Sequence, residues 1–127
     1  MSPEQLARRL AELADSKQAT EIVALDMRAL VSYTDFLVIC TARNERQAGA
    51  ITNEVGVQLK RDGRLLARQV EGKAGAGWIL LDYLDCVLHV FTPEARDRYR
   101  LEVLWEDAPR LELELAGAAA APRAAQA

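Results

Sequence analysis

The chain of 127 residues has little of what membrane insertion and secretion require. It contains no run of about 18 consecutive apolar residues, the length that a transmembrane helix needs, so we expect no membrane association. Its first residues include neither the basic segment nor the apolar segment of a signal peptide. We therefore expect a cytoplasmic protein.

Cysteine and histidine are also scarce, with two cysteines and one histidine in the chain. Cys40 and Cys86 lie inside apolar runs, which is typical of buried free thiols in a reducing compartment; a disulfide between them is the alternative. Because side chains alternate along a strand, His89 shares one face with Val87 and Phe91, which favours a hydrogen-bonded packing role over metal ligation. No spacing of these residues matches a zinc site, and we expect neither a metal nor a cofactor.

No glycine-rich phosphate loop and no nucleophile elbow occurs, which excludes the enzyme classes built on them. One enzymatic hypothesis remains, because Asp82 and Asp85 flank a predicted hairpin turn and Asp26 ends the first predicted strand. Together these carboxylates could hold Mg²⁺ in a nucleotidyltransferase-like enzyme that uses Asp82 and Asp85. However, aspartate is common in turns for its own backbone hydrogen bonds. Residues 41–44 also lack the Gly-Ser turn that would hold the phosphates. We therefore expect a protein without catalytic activity and keep the enzyme as the alternative.

The net charge is small, −3 at pH 7, which argues against a duplex DNA-binding protein because such a protein needs a basic face. The charge is unevenly distributed. Residues 1–70 carry ten basic and nine acidic side chains, whereas residues 71–115 carry five basic and ten acidic ones, with five of the seven aromatic residues. Residues 116–127 include eight alanines, and we predict a disordered tail there. Residues 1–115 are expected to form one domain.

Apolar periodicity and end signals predict alternating helices and strands. Ser2, Pro3 and Gln5 match a capping box at the start of the first helix. We expect helices at about 2–17, 43–63 and 93–99, strands at about 20–27, 35–41, 65–70, 78–81 and 86–91, and a solvated edge strand at 111–115. Gly56 is interpreted as a site of close helix packing. These elements predict a single α/β (α+β) domain with one mixed sheet of about five strands packed by helices.

The acidic, aromatic part of the chain indicates an interface with a basic partner. Tryptophan and tyrosine often anchor protein interfaces, and Trp78 shares a predicted strand face with Leu80 and Asp82. An acidic rim would steer a basic partner to this surface. The rim residues are Asp82, Asp85, Glu102, Glu106 and Asp107. The candidate partner-binding residues are Trp78, Leu80, Asp82, Tyr99, Leu101, Glu102, Leu104 and Trp105.

Six sequence blocks occur in the order and at the spacing of one known family. They are EIVALD at 21–26, DFLVI at 35–39, RQ at 46–47, WILLDY at 78–83, VLHVF at 87–91 and RYRLEVLWEDAP at 98–109. With these blocks the sequence resembles the ribosomal silencing factor family (RsfS, or Iojap-like). The resemblance implies a fold related to that of nucleotidyltransferases.

The resemblance also implies a function. Members of this family bind the large ribosomal subunit through ribosomal protein L-fourteen and sterically block association with the small subunit, which represses translation. They are not known as enzymes, and isolated members form homodimers. Asp82 and Glu102 would then pair with basic side chains of the ribosomal protein. A dimeric adaptor for some other basic protein is the remaining alternative.

The sequence departs from the family pattern at three places, one of which is the alanine-rich tail at 116–127. Leu84 stands where glycine is usual, which suggests a slightly different turn after the predicted strand at 78–81. Residues 41–44 are less rich in serine, threonine and glycine than the family's loop.

Overall fold

The computed structural model describes residues 1–72 and 75–115, so the predicted tail at 116–127 lies outside the described residues. In chain order the elements are α1 (Pro3–Ser16), β1 (Thr20–Asp26), β2 (Phe36–Thr41), α2 (Glu45–Gly63), β3 (Gln69–Gly72), β4 (Trp78–Asp82), β5 (Cys86–Phe91), α3 (Pro93–Tyr99) and α4 (Leu101–Leu104). The predicted α+β architecture with one mixed sheet is confirmed. Among the described residues, no helix is long and apolar enough to cross a membrane.

The five strands form one sheet in the order β1-β2-β5-β4-β3. The central pair β2 and β5 is parallel, and the other three neighbouring pairs are antiparallel. Every residue of β2 and β5 is buried. This is why both strands read as continuous apolar runs, since central strands are covered on both faces.

The sheet has two differently covered faces. On one face α1 and α2 pack against the strands through residues such as Leu10, Ile51 and Leu88. On the other face the strands pack against α3, α4 and the chain connections, through residues such as Phe91 and Leu101. We call the cluster on this face the second core. Because side chains alternate along a strand, each strand contributes to both cores.

The helix starts follow the capping signals of the sequence. The Ser2 hydroxyl oxygen accepts a hydrogen bond from the Gln5 backbone N–H at 3.1 Å, and the Gln5 side-chain oxygen accepts one from the Ser2 N–H at 2.7 Å. The predicted capping box is therefore confirmed. At the start of α2, the Asn44 side chain accepts a hydrogen bond from the Gln47 N–H at 2.9 Å.

Two predicted strands differ from the structure. The third strand begins at Gln69 rather than at residue 65, because the Leu65 N–H is still bonded to the Leu59 carbonyl at the end of α2. The alternating segment at 111–115 is not a strand; only an isolated bridge joins Arg110 to Leu25. Its leucines alternate because they pack against the α1–α2 core, while the intervening glutamates are exposed.

The expectation of close helix packing at Gly56 in α2 is also wrong. A Cβ added at Gly56 would meet nothing within 4 Å, so no neighbour in the described chain requires a glycine there. The residue that adopts the left-handed C-cap conformation after α2 is Arg64 (φ 55°), and Gly63 is still helical. Left-handed caps favour glycine but do not demand it.

Candidate interaction surface

A cluster of aromatic rings lies on the sheet face that carries α3 and α4. The ring of Trp78 on β4 is 4.7 Å from that of Tyr99, 5.3 Å from that of Phe91 and 5.7 Å from that of His89, measured between centroids. Such separations are typical of favourable aromatic pairs. Phe91 and His89 are buried, whereas Tyr99 is 41% exposed. The cluster therefore holds Tyr99 at the protein surface on a rigid base.

His89 fixes the orientation of the Trp78 ring. The Trp78 indole N–H donates a hydrogen bond to Nδ1 of His89 at 3.1 Å, so this nitrogen carries no proton. Burial lowers the pKa of His89 to about 4, because it disfavours the charged imidazolium. The predicted packing role of His89 is confirmed: it is a neutral hydrogen-bond acceptor within the second core.

The turn between α3 and α4 exposes an apolar edge beside Tyr99. Arg100 adopts a left-handed conformation (φ 50°), which ends α3 and starts the one-turn helix α4. Leu101 packs inward on the second core together with Trp105. Val103 and Leu104 point outward and are 56% and 65% exposed.

A buried arginine holds this turn against the sheet. Arg96 is 8% exposed, and its guanidinium donates to Glu102 Oε2 (2.8 Å from Nε) and to the Thr41 hydroxyl at the end of β2 (2.9 Å). Charge-assisted hydrogen bonds of this kind are strong and directional. Glu102 is therefore an internal partner of Arg96, and its predicted pairing with a basic side chain of another protein would compete with this bond.

Asp82 is likewise bound within the chain. Its carboxylate accepts hydrogen bonds from the Arg68 guanidinium and from the Leu84 N–H, both at 2.8 Å. Burial acts to raise the pKa of Asp82, but these two hydrogen bonds outweigh it and hold the pKa below the ordinary value. Asp82 lies four residues from Trp78 along β4, about 13 Å away. It is thus at the opposite end of the strand from the aromatic rings.

The structure brings most of the predicted site residues onto one face and leaves a few apart. Half-buried side chains of this face join the second core and surround the exposed edge; they are Trp78, Leu80, Leu101 and Trp105. Tyr99 and Leu104 are the exposed members. The rim residues Asp85, Glu106 and Asp107 are exposed, in contrast to Asp82 and Glu102.

Sequence reasoning missed three exposed apolar side chains and the central arginine. Val103 lies in α4 between two residues that were predicted, and its outward direction depends on the turn at Arg100. Leu30 and Tyr33 lie exposed in the β1–β2 connection, whose Val31 packs on the second core. A single valine or leucine in a connection or a one-turn helix carries no sequence signal that distinguishes exposure from burial.

The carboxylates of the enzymatic alternative do not converge. Asp26 pairs with Arg28 at 2.6 Å and Asp82 with Arg68 at 2.8 Å. Within the described part of the chain, no group of three or more histidine, cysteine or acidic residues could hold a metal ion. Burial raises the pKa of both cysteine thiols to about 12, so neither is a ready nucleophile.

Comparison with known proteins identifies the family. The model of the family described as "Ribosomal silencing factor during starvation" matches residues 1–127. A Halalkalibacterium halodurans protein named ribosomal silencing factor RsfS is 38% identical over 114 residues, which cover 90% of this chain and 97% of the relative.

A solved structure and a more distant relative extend the comparison. A crystal structure of a Chromobacterium violaceum protein matches with a TM-score of 0.79 at 30% identity and covers 96% of this chain and 98% of that one. A Mus musculus protein named mitochondrial assembly of ribosomal large subunit protein 1 is 29% identical over 76% of this chain and 43% of its own length.

Proposed function

This chain belongs to the ribosomal silencing factor family, and we propose from this premise that it represses translation by binding the large ribosomal subunit and blocking association with the small subunit. The observation that carries the proposal is the exposed apolar edge of Tyr99, Val103 and Leu104. Tyrosine is a common interface anchor, and a contiguous exposed apolar patch such as this one marks an interaction site.

The charge around this edge supports a basic protein partner. Residues 85–109, which contain β5, α3 and α4, carry six acidic and three basic side chains. Glu106 and Asp107, which follow α4, are exposed and have no ion pair with another described residue. Rim charges of this kind raise the rate of encounter with an oppositely charged partner. We propose ribosomal protein L-fourteen as that partner, as the family resemblance implies.

The large subunit is the proposed target for a further reason. The mouse relative is named for the assembly of the ribosomal large subunit. A protein of this size that covers part of the joining face would act by steric exclusion and would need no catalytic group. We therefore propose a non-enzymatic protein of the cytoplasm. We also propose that the free protein forms a homodimer, as the resemblance implies.

Binding of purified large subunits tests this proposal. Leu104→Asp places a charge at the centre of the apolar edge and should weaken co-sedimentation with large subunits by about thirtyfold or more, since an interface anchor contributes about 2 kcal/mol. Leu66→Asp is the matched control, because Leu66 is also 65% exposed but lies beside α2 on the other face of the sheet. Equal binding of wild type and Leu104→Asp would contradict the proposed surface.

A further inference from the structure

A second surface with a different charge lies at the end of the sheet where β2 leads into α2. Three cationic side chains, Lys17, Arg43 and Arg46, line a cavity of about 510 Å³ there. None of the described residues that line this cavity is acidic. The three side chains come from the end of α1, the β2–α2 link and the first turn of α2. The cavity is therefore a locally positive site in a chain of negative net charge.

The cavity lies beside the carboxyl end of β2, between the end of α1 and the first turn of α2. The parallel strands β2 and β5 end side by side, at Thr41 and Phe91. From there α2 passes to one face of the sheet and α3 to the other. The crevice between the two strand ends, lined by residues 43–45 and by Thr92, Glu94 and Ala95, is a separate cavity that shares Arg43 and Asn44 with the cationic one. The carboxylates considered for the enzymatic alternative lie at the opposite end of β4 and β5.

A buried glutamine holds the three cationic segments together. Gln47 is 7% exposed, and its amide nitrogen donates to the backbone carbonyls of Lys17 and Gln18 at 2.9 and 3.1 Å. Its side-chain oxygen accepts a hydrogen bond from the Arg43 N–H at 2.6 Å. These bonds tie the end of α1 to the start of α2. The spacing of the three cations is thus set by the fold before any ligand arrives.

The three cations are not neutralised by a carboxylate of the described residues, in contrast to several other basic residues. Arg9 pairs with Asp62, Arg68 with Asp82 and Arg96 with Glu102. By contrast, Lys17, Arg43 and Arg46 form no ion pair with any carboxylate of the described residues. Three cations on one cavity without an anion between them favour an anionic ligand.

We propose that this cavity binds phosphate groups of an RNA backbone. Phosphates are recognised by arginine and lysine. No aromatic or large apolar residue is among the described residues that line the cavity, so nothing there would hold a base, and a free nucleotide is disfavoured. The inference rests on the proposed function for the source of the RNA, which is the ribosomal RNA of the large subunit. The residues that line this cavity include none of the apolar edge formed by Tyr99, Val103 and Leu104, so the two surfaces are distinct.

Fluorescence anisotropy with a labelled 20-nucleotide oligouridylate tests the proposal without ribosomes. For three neutralised phosphates, the logarithm of the association constant should fall with the logarithm of the salt concentration with a slope of about −2. The double variant Arg43→Glu/Arg46→Glu should bind the RNA at least about tenfold more weakly near 50 mM salt and with a shallower slope. Arg43→Lys/Arg46→Lys, which keeps both charges, should retain most of the affinity.

A matched charge reversal elsewhere on α2 distinguishes RNA binding in the cavity from general electrostatic attraction between RNA and the protein. Lys60→Glu/Arg61→Glu makes the same change in net charge at two exposed positions near the other end of α2, and it should alter RNA affinity by less than about threefold. Three results would each overturn the proposal: no RNA binding by the wild type, equal losses in both glutamate pairs, or ATP binding more tightly than the RNA. Because ribosomes are absent from this assay, such a failure is separate from the co-sedimentation result for Leu104→Asp.

Discussion

At the scale of single residues, His89 links the order of the aromatic cluster to pH. The folded protein holds this imidazole neutral, with its pKa at about 4 against 6.5 for the ordinary value. Because the pKa of His89 is lower in the folded state than in the unfolded state, the unfolded state takes up the proton first as the pH falls. The stabilisation of the folded state is complete above the unfolded pKa and is lost as the pH falls toward the folded pKa. The lost stabilisation should therefore appear between pH 6.5 and pH 4.

Denaturant unfolding across this pH window gives the test. Between pH 7 and pH 4.5 the free energy of unfolding should fall by about 2 kcal/mol through His89 alone. His89→Asn removes the titration and can keep an acceptor for the Trp78 indole N–H, so its unfolding free energy should be flatter over the same range. A variant that loses stability as steeply as the wild type would show that another group titrates there.

Leu84 carries backbone strain that glycine would remove. Its φ is 73°, in the left-handed region that costs a residue with a Cβ about 1 kcal/mol or more, and its side chain is half exposed. The hydrogen bond from its N–H to Asp82 uses only the backbone and would remain. Leu84→Gly should therefore raise the free energy of unfolding by about 0.5 kcal/mol after the entropic cost of glycine.

The control for this substitution is a leucine of similar exposure without the strain. Leu66→Gly is expected to lower stability, because Leu66 is not among the residues with positive φ and the glycine then contributes only its entropic cost. Thermal and denaturant unfolding of both variants would be compared with the wild type. A lower stability of Leu84→Gly would contradict the strain argument.

At the scale of elements, the α3–α4 turn depends on a single ion pair. The side chains of Arg96 and Glu102 are 9% and 22% exposed, so removal of one charge leaves the other poorly solvated. Glu102→Ala should lower the free energy of unfolding by about 2–3 kcal/mol, somewhat less than for a fully buried pair. Arg96→Met/Glu102→Leu should recover much of this loss, because both charges are then absent.

A binding measurement on these variants shows whether Glu102 positions the α3–α4 turn or contacts the ribosomal protein directly. If Glu102 acts by holding the turn, Arg96→Met/Glu102→Leu should bind large subunits more strongly than Glu102→Ala does, in proportion to its recovered stability. If Glu102 instead touches the ribosomal protein, both variants should lose the same affinity, and the role assigned to Arg96 would be wrong.

The elements also show where the sequence was informative. The strands β2 and β5 are predictable because a run of apolar residues such as 36–40 has few alternatives to a buried strand. The start of α1 is predictable because the side chains of Ser2 and Gln5 each accept a hydrogen bond from the other residue's backbone N–H. By contrast, the alternation at 111–115 reflects packing on α1 and α2, which only the tertiary structure supplies. For the same reason the inward direction of Glu102 could not be predicted, because it depends on the distant Thr41 and the buried Arg96.

At the scale of the whole molecule, the sheet separates two surfaces of opposite charge. Residues 43–68, which contain α2, carry six basic and three acidic side chains, the reverse of residues 85–109 on the other face. The net charge is therefore small because a basic and an acidic part of the surface largely offset each other. A basic ribosomal protein would meet the acidic, apolar face, and RNA phosphates would meet the basic end of α2. Under the proposed function, the whole chain would obstruct the joining of the two subunits as a rigid body.

The assembly of ribosomes from purified subunits, followed by light scattering, tests the central claim most directly. Wild-type protein added in excess to large subunits should reduce the yield of joined ribosomes when small subunits are added, and Leu66→Asp should do the same. Leu104→Asp, folded but altered at the apolar edge, should leave subunit joining near the level without protein. Unhindered joining in the presence of the wild type, or inhibition by Leu104→Asp equal to that by the wild type, would contradict the account.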